Sequence, residues 1–303
     1  MPQFFANAHY KFVAYRWRTV TISGIIILAG LVTMAVRGPN WSVDFRGGMD
    51  IQVRFAQPLS DGQVRSALAD MNVGEVKTIS GLGQKEDILI RLKVSENSEE
   101  TQRQVQQKLE ASFPGNSVEI RNVAVVGPKV GRDLRRSALL SGILAVIMLL
   151  IYISWRFKFE FAIGGIIALV HNVGLTMAFL VFFNYELSLS VLAAFLTLIG
   201  YSINDTIVVF DRIRENMKKR RALNLRDIMD LSINETLSRS VITSVTVFLT
   251  VLVLFIFGGD VLRGFSFVMM VGVIASAYAT VFVSAPIVVE WAEKRMVKGR
   301  KPR

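Results

Sequence analysis

The sequence predicts an α-helical integral membrane protein of six transmembrane helices, with an α+β domain inserted between the first and the second. Three observations predict it. Of the 303 residues 52% are apolar and the mean hydropathy is +0.44, more than one or two water-soluble cores of this size would hold. Six long, nearly charge-free runs occupy residues 20–36, 137–153, 161–183, 187–210, 241–257 and 265–289. Each comes near the ~20 residues that a hydrocarbon core of about 30 Å demands of a helix. Between the first two runs the composition changes to a charged, mixed stretch of short alternating segments.

The first run follows Lys11, Arg16 and Arg18, and it lacks a clear small-x-small cleavage site after it, so an uncleaved helix is expected there. The remaining basic residues fix the orientation of the others. Arg156 and Lys158 join runs two and three, and Arg212, Arg214, Lys218, Lys219, Arg220, Arg221 and Arg226 join runs four and five. Arg295, Lys298, Arg300, Lys301 and Arg303 follow the sixth, whereas the connections 184–186 and 258–264 contain only Arg263. Under the positive-inside rule both termini lie in the cytoplasm and residues 37–133 lie outside. The net charge of +11 is thereby spent on topology, and no nucleic-acid partner is expected. With no cysteine, the outer domain has no disulfide and no thiolate metal site.

The expected segments are 1–36 (N-terminus and first helix), 37–133 (outer domain), 134–292 (five helices) and 293–303 (basic tail), with a cytoplasmic loop at about 211–238. Within the outer domain, residues 50–55 alternate like a strand. Pro58 and Ser60, with Gln63 three residues on, form a capping-box start to a helix through Met71. Residues 75–80 and 87–94 read as strands around the Gly81-Leu82-Gly83 turn, 99–113 as an amphipathic helix stopped by Pro114-Gly115, and 118–126 as a last strand. The order βαββαβ is that of a ferredoxin-like fold. In the polar stretch 211–238, Ile213, Met217, Leu225, Ile228, Met229 and Ile233 suit either a helix on the membrane surface or a solvated basic loop.

Ionisable groups inside a bilayer are costly, so each is a functional candidate. His171 falls within the third run, Asn204 and Asp205 near the inner end of the fourth, and Arg239 at the start of the fifth. Burial disfavours the charged form of Asp205, which suits it to hold and release a proton near neutral pH. Runs four and five are antiparallel, so Arg239 is expected at a similar depth. A pair that separates would switch the acid between two states, while a fixed salt bridge would only orient the bundle, and the sequence leaves both open. Tyr201, Ser202, Thr243 and Ser244 offer hydroxyls for a relay or for their own helix backbone. His171 suits a neutral hydrogen-bonding role, and Asn172 cannot titrate. Gly164, Gly165, Gly174 and the 272–279 stretch with Ser276 allow close helix packing. Nucleotide loops, metal clusters and nucleophile constellations are not visible.

Four segments carry a resemblance to the SecF family of bacterial protein-export subunits, within the resistance-nodulation-division superfamily. They are Val43-Asp44-Phe45-Arg46-Gly47-Gly48; residues 200–216, which include Asn204, Asp205, Asp211 and Arg212; residues 236–244; and residues 257–265. With the layout of one helix, an outer domain and five helices, the resemblance covers essentially the whole chain. It implies a non-enzymatic inner-membrane subunit paired with SecD, at the SecYEG translocon with YajC and YidC. Preproteins would be its clients and lipids its surroundings; it would use no cofactor beyond the proton gradient. On the resemblance Asp205 and Arg239 become the conducting pair, with Asn204, Ser202, Thr243 and His171 around them. Asp44, Phe45, Gly47 and Gly48 become a structured lead-in to the outer domain. The family usually has His-Asp where this chain has His171-Asn172, so the route would rest more on Asp205 and the partner. A small-molecule or lipid exporter of the same superfamily, or a passive translocon scaffold, are the competing readings.

Overall fold

The computed structural model of the chain describes residues 9–71, 73–79, 86–92, 98–157, 159–220 and 222–291. Helix α1 (Arg16–Arg37), entered through a 3-10 turn (Phe12–Tyr15), leads to a single helical turn α2 (Val43–Arg46). There follow β1 (Gly48–Phe55), α3 (Asp61–Ala67), β2 (Val73–Ile79), β3 (Asp87–Leu92), α4 (Ser98–Ser112) and β4 (Val118–Val126). The chain then runs through α5 (Pro128–Arg156), α6 (Phe159–Phe182), α7 (Leu189–Lys219), α8 (Leu225–Phe257) and α9 (Gly259–Ala279). A π turn (Thr280–Ser284) continues α9, and helix resumes beyond it. Six of these helices are long and apolar enough to cross a membrane.

The sheet order is β2-β3-β1-β4, antiparallel throughout. Alternation along the strands decides its two faces. Met49, Ile51, Val53 and Phe55 of β1 and Ile88, Ile90 and Leu92 of β3 pack on Val64 and Leu68 and on Val105 and Leu109 of α4. Asp50, Gln52 and Arg54 consequently face the other way. Ser60 starts α3 as its spacing to Gln63 predicts: each side chain meets the other residue's backbone N–H. The Gly81-Leu82-Gly83 turn and the basic tail after Trp291 lie outside the described residues, as do Lys158 and Arg221.

In the helix bundle α6, α7 and the last span form the centre, with 44%, 50% and 56% of their most apolar windows buried, against 11%, 6% and 11% for α1, α5 and α8. Rows of apolar side chains, such as Ile25, Leu28, Leu139, Ile143, Val245 and Leu249, therefore face out of the bundle. α1 meets α6 at Gly30, where a Cβ would stand 2.4 Å from Ala178 Cβ. Backbone contact this close requires the missing side chain. Gly30→Val is expected to lower stability in detergent by about 1–3 kcal/mol through overpacking. Ala178→Gly should recover part of that loss in thermal melts of the full chain.

Most of the polar stretch 211–238 is neither a surface helix nor a loop but the ends of two long helices. α7 continues to Lys219 and α8 begins at Leu225, capped by the Asn224 side chain, which accepts from the Asp227 N–H. Ile213, Met229 and Ile233 are buried in one core cluster with Val13 and Phe210. Their apolar faces pack against each other, which removes the need for a membrane surface to cover them.

Candidate functional site

Asp205 lies on the inward face of α7 and is 4% exposed. Its Oδ2 is buried and has no hydrogen-bond partner among the described residues. It borders a cavity of about 190 Å³ whose walls include Phe12, Val209, Ile233, Thr236, Tyr278 and Thr280. On the α8 side the carboxyl group faces the Ser244 hydroxyl, which also accepts from Tyr201 Oη at 3.3 Å. A buried acid with an unpaired oxygen beside a cavity can exchange a proton with whatever enters that cavity.

Of the two arrangements left open for Asp205 and Arg239, the fixed salt bridge is not formed among the described residues. Arg239 is exposed on α8 and makes no ion pair with Asp205 within 4.0 Å among the described residues, although it is near enough for a Coulombic interaction. Asp205 points to the bundle interior and Arg239 to its outside, so equal depth did not bring them together. Asn204 is likewise exposed, because adjacent helical residues differ by about 100° in direction. Thr243 donates to the backbone oxygens of Arg239 and Ser240. His171 Nε2 lies 2.8 Å from Ser23 Oγ of α1, and its ring stacks on Tyr278, with Nδ1 buried and unpartnered.

Ser202 lies among further buried polar residues, of which Thr176, Thr206, Thr280 and Ser284 were not singled out from the sequence. Its Oγ accepts from Asn172 Nδ2 at 3.1 Å and from Ser276 Oγ at 3.0 Å. Thr176 Oγ1 donates to Asn172 Oδ1 at 3.5 Å, and one turn nearer Asp205 the hydroxyls of Thr206 and Thr280 are 3.1 Å apart. All six are buried, and Ser284, a further turn along, has a buried Oγ without a partner among the described residues. The four-residue spacing of 172 and 176, of 202 and 206, and of 276, 280 and 284 is the sequence signal that marks one face of each helix.

The lead-in segment ties the sheet to the bundle. Asp44 Oδ2 accepts from the Leu189 N–H at 2.9 Å and from Ser42 Oγ at 3.1 Å, so it holds the first turn of α7. Ser42 N–H donates to the Leu187 carbonyl at 2.9 Å and Leu187 N–H to that of Asn40 at 2.7 Å. Phe45 is buried edge-on to Trp41, and Arg135 donates to the Phe45 carbonyl at 2.8 Å with its guanidinium 4.7 Å above the Trp41 ring. Gly47 has φ +73° and stands where a Cβ would come within 2.9 Å of Pro128 Cα, and at Gly48 φ is +147°, so both positions require glycine. Asp211 and Arg212 anchor the far end of α7 to Arg156 and to Glu235.

Arg91 of β3 completes the connection. Two of its nitrogens meet Asp50 at 2.9 Å, a third meets Glu75 at 3.0 Å, and Nη2 also reaches Glu186, in the α6–α7 connection, at 3.0 Å. Its pKa rises above the usual guanidinium value, chiefly through the hydrogen bonds to Asp50. A cleft of about 610 Å³ lies alongside, between the polar face of the sheet and the ends of the helices, with Asp50, Gln52, Asn122, Tyr185 and Glu186 in its walls.

Six apolar helices around a buried acid, with a sheet domain joined to one end, define a multi-pass membrane protein. The chain matches the family described as protein export membrane protein SecD/SecF, C-terminal, over residues 104–294, and the SecD/SecF GG motif over residues 32–59. The chain belongs to the SecF family. The protein translocase subunit SecF of Rhodothermus marinus is 39% identical over 98% of this chain and 97% of its own. That of Calditerrivibrio nitroreducens is 42% identical over 88% and 89%. Among solved structures the chain is similar to SecDF, a translocon-associated membrane protein from Thermus thermophilus, with a TM-score of 0.86 and 30% identity over 96% of the chain. SecDF in a super-membrane-facing form gives 0.73 and 29%. The chain spans 40% of the length of the first of these and 41% of the second.

Proposed function

We propose that the chain is a non-enzymatic subunit of the bacterial protein-export machinery, which with SecD converts inward proton movement into work on preproteins outside the inner membrane. The observation that carries this reading is the orphaned, buried carboxylate oxygen of Asp205 at a cavity inside a membrane bundle. An acid kept there at a solvation cost has a use that scaffolding alone does not supply. Family membership supports the client class, and the name of the SecDF relative, translocon-associated, supports SecYEG as neighbour; YajC and YidC beside it rest on the resemblance alone. A SecD half would account for the part of SecDF that this chain does not span, and the outward apolar rows of α1, α5 and α8 are surfaces for it or for lipid. The strand order β2-β3-β1-β4, with both helices on one face, supports a ferredoxin-like outer domain, and the basic residues support placing it in the periplasm with both termini in the cytoplasm. The proton gradient serves as energy source without a cofactor.

Membrane vesicles holding the chain, SecD and the translocon provide the test. An imposed proton gradient should speed the completion of preprotein export, and a protonophore should remove the gain. Export that ignores the gradient would sink the proposal in favour of a scaffold.

A further inference from the structure

Building on the proton-driven function proposed above, we infer that the buried ladder of Thr176, Asn172, Ser202–Ser276 and Thr206–Thr280 is the half of the proton path that lies between the outer domain and Asp205. α6 runs towards the domain and α7 and α9 run away from it, so the ladder descends in that order from the domain side. Thr280 belongs to both structures: its hydroxyl is paired with that of Thr206, and it lines the cavity that Asp205 also lines. Ser284 Oγ and Asp205 Oδ2, buried and without partners, mark the lower end.

Successive rungs on α7 and α9 are one turn, ~5.4 Å, apart, a gap that conduction would have to fill with one bridging water per step. Each hydroxyl takes a proton on its oxygen from the rung above as it gives its own to the rung below, so that no hydroxyl holds a charge. Asn172, an amide, passes no proton itself but orients Thr176 and Ser202 through its two hydrogen bonds, and a water beside it carries the proton between them. The proton ends on Oδ2, turning the carboxylate into the acid. Above Thr176 the column is closed by buried Leu180, Val191 and Val268, so conduction requires these apolar side chains to part. The alternative is that the hydroxyls only fasten helices together.

The two roles separate in the variant Thr206→Val with Thr280→Val. Removing both partners of one hydrogen bond with groups of the same shape is nearly neutral for stability, yet it breaks the ladder. In vesicles containing the full chain and SecD, proton flux should fall by about tenfold or more, while the melting temperature and association with SecD stay unchanged. Thr280→Ser, which loses a methyl but keeps the hydroxyl, should rescue flux relative to Thr280→Val. Flux at the unmodified level in the valine pair, or a loss in Thr280→Ser as large as in Thr280→Val, overturns the inference. If the valine pair folds poorly, Ser276→Ala is read in the same assay against the same two flux outcomes. Asp205→Asn is measured alongside. If it conducts normally, the proton-driven function itself fails; if it is silent while the valine pair conducts normally, only the ladder fails.

Discussion

Replacing Asp205 by Asn is expected to reduce proton flux and gradient-driven export by about a hundredfold, the scale on which a positioned proton-transferring side chain acts. Asparagine keeps the shape and fits the same cavity, beside Ser244 and Thr280, but it can neither bind nor release a proton at neutral pH. The amide also avoids the solvation cost of a buried anion, so the variant should be as stable as the unmodified chain or more so. That opposition is the diagnostic: activity falls while the melting temperature holds or rises. Asp205→Glu retains a titratable group with one more methylene and should keep part of the flux, because the cavity of about 190 Å³ has room for it. Proton uptake by reconstituted vesicles and the thermal melts of the three forms decide the matter. Equal flux in all three would leave the acid with only a structural role.

The bundle was legible because insertion into a bilayer writes itself on composition: a span must be apolar for ~20 residues, whichever neighbour it packs against. Where polarity and helix part company, the pattern misleads. Residues 211–238 are polar on average, yet Ile213, Met229 and Ile233 sit at helical spacing on faces that bury each other, and only that contact reveals two helix extensions. The strands of the outer domain could be read from alternation and from the capping box at Ser60. The turn α2 could not, since four residues carry no period. The acid at 205 announced itself by its cost in lipid. Its surroundings did not, because depth along a helix is linear in sequence whereas direction turns by about 100° per residue. Hence Arg239 and Asn204, close to Asp205 by depth or by chain, face outward, while Ser276 and Thr280, some seventy residues away, supply the hydroxyls of the interior. Asn172 stood out from the sequence only as an amide that cannot titrate; its hydrogen bonds to Thr176 and Ser202 depend on contacts between helices that spacing along one helix does not reveal.

Arg91→Met is expected to be the most destabilising single change in the outer domain, and its effect should reach the membrane. Arg91 is 8% exposed and is held by carboxylates from three places: Asp50 on the adjacent strand, Glu75 on the other neighbour, and Glu186 on the connection into α7. Methionine fills much the same volume but leaves those anions facing one another without their cation. Breaking a buried ion pair in this way costs about 3–5 kcal/mol. Asp50 is nearly as buried as Arg91 and cannot reach water without moving the sheet. The sheet should therefore loosen from residues 184–188, and the bond between Asp44 and the Leu189 N–H that holds the start of α7 should become strained with it. A single cysteine introduced at Ser188, in a chain that has none, reports the loosening as faster labelling by a water-soluble maleimide. Adding Asp50→Asn and Glu186→Gln to Arg91→Met removes the uncompensated charges, and most of the lost stability should return. If the triple variant labels and melts like Arg91→Met alone, packing rather than charge holds the domain to the bundle, and the coupling from sheet to α7 must run through Asp44 and the glycines at 47 and 48 instead.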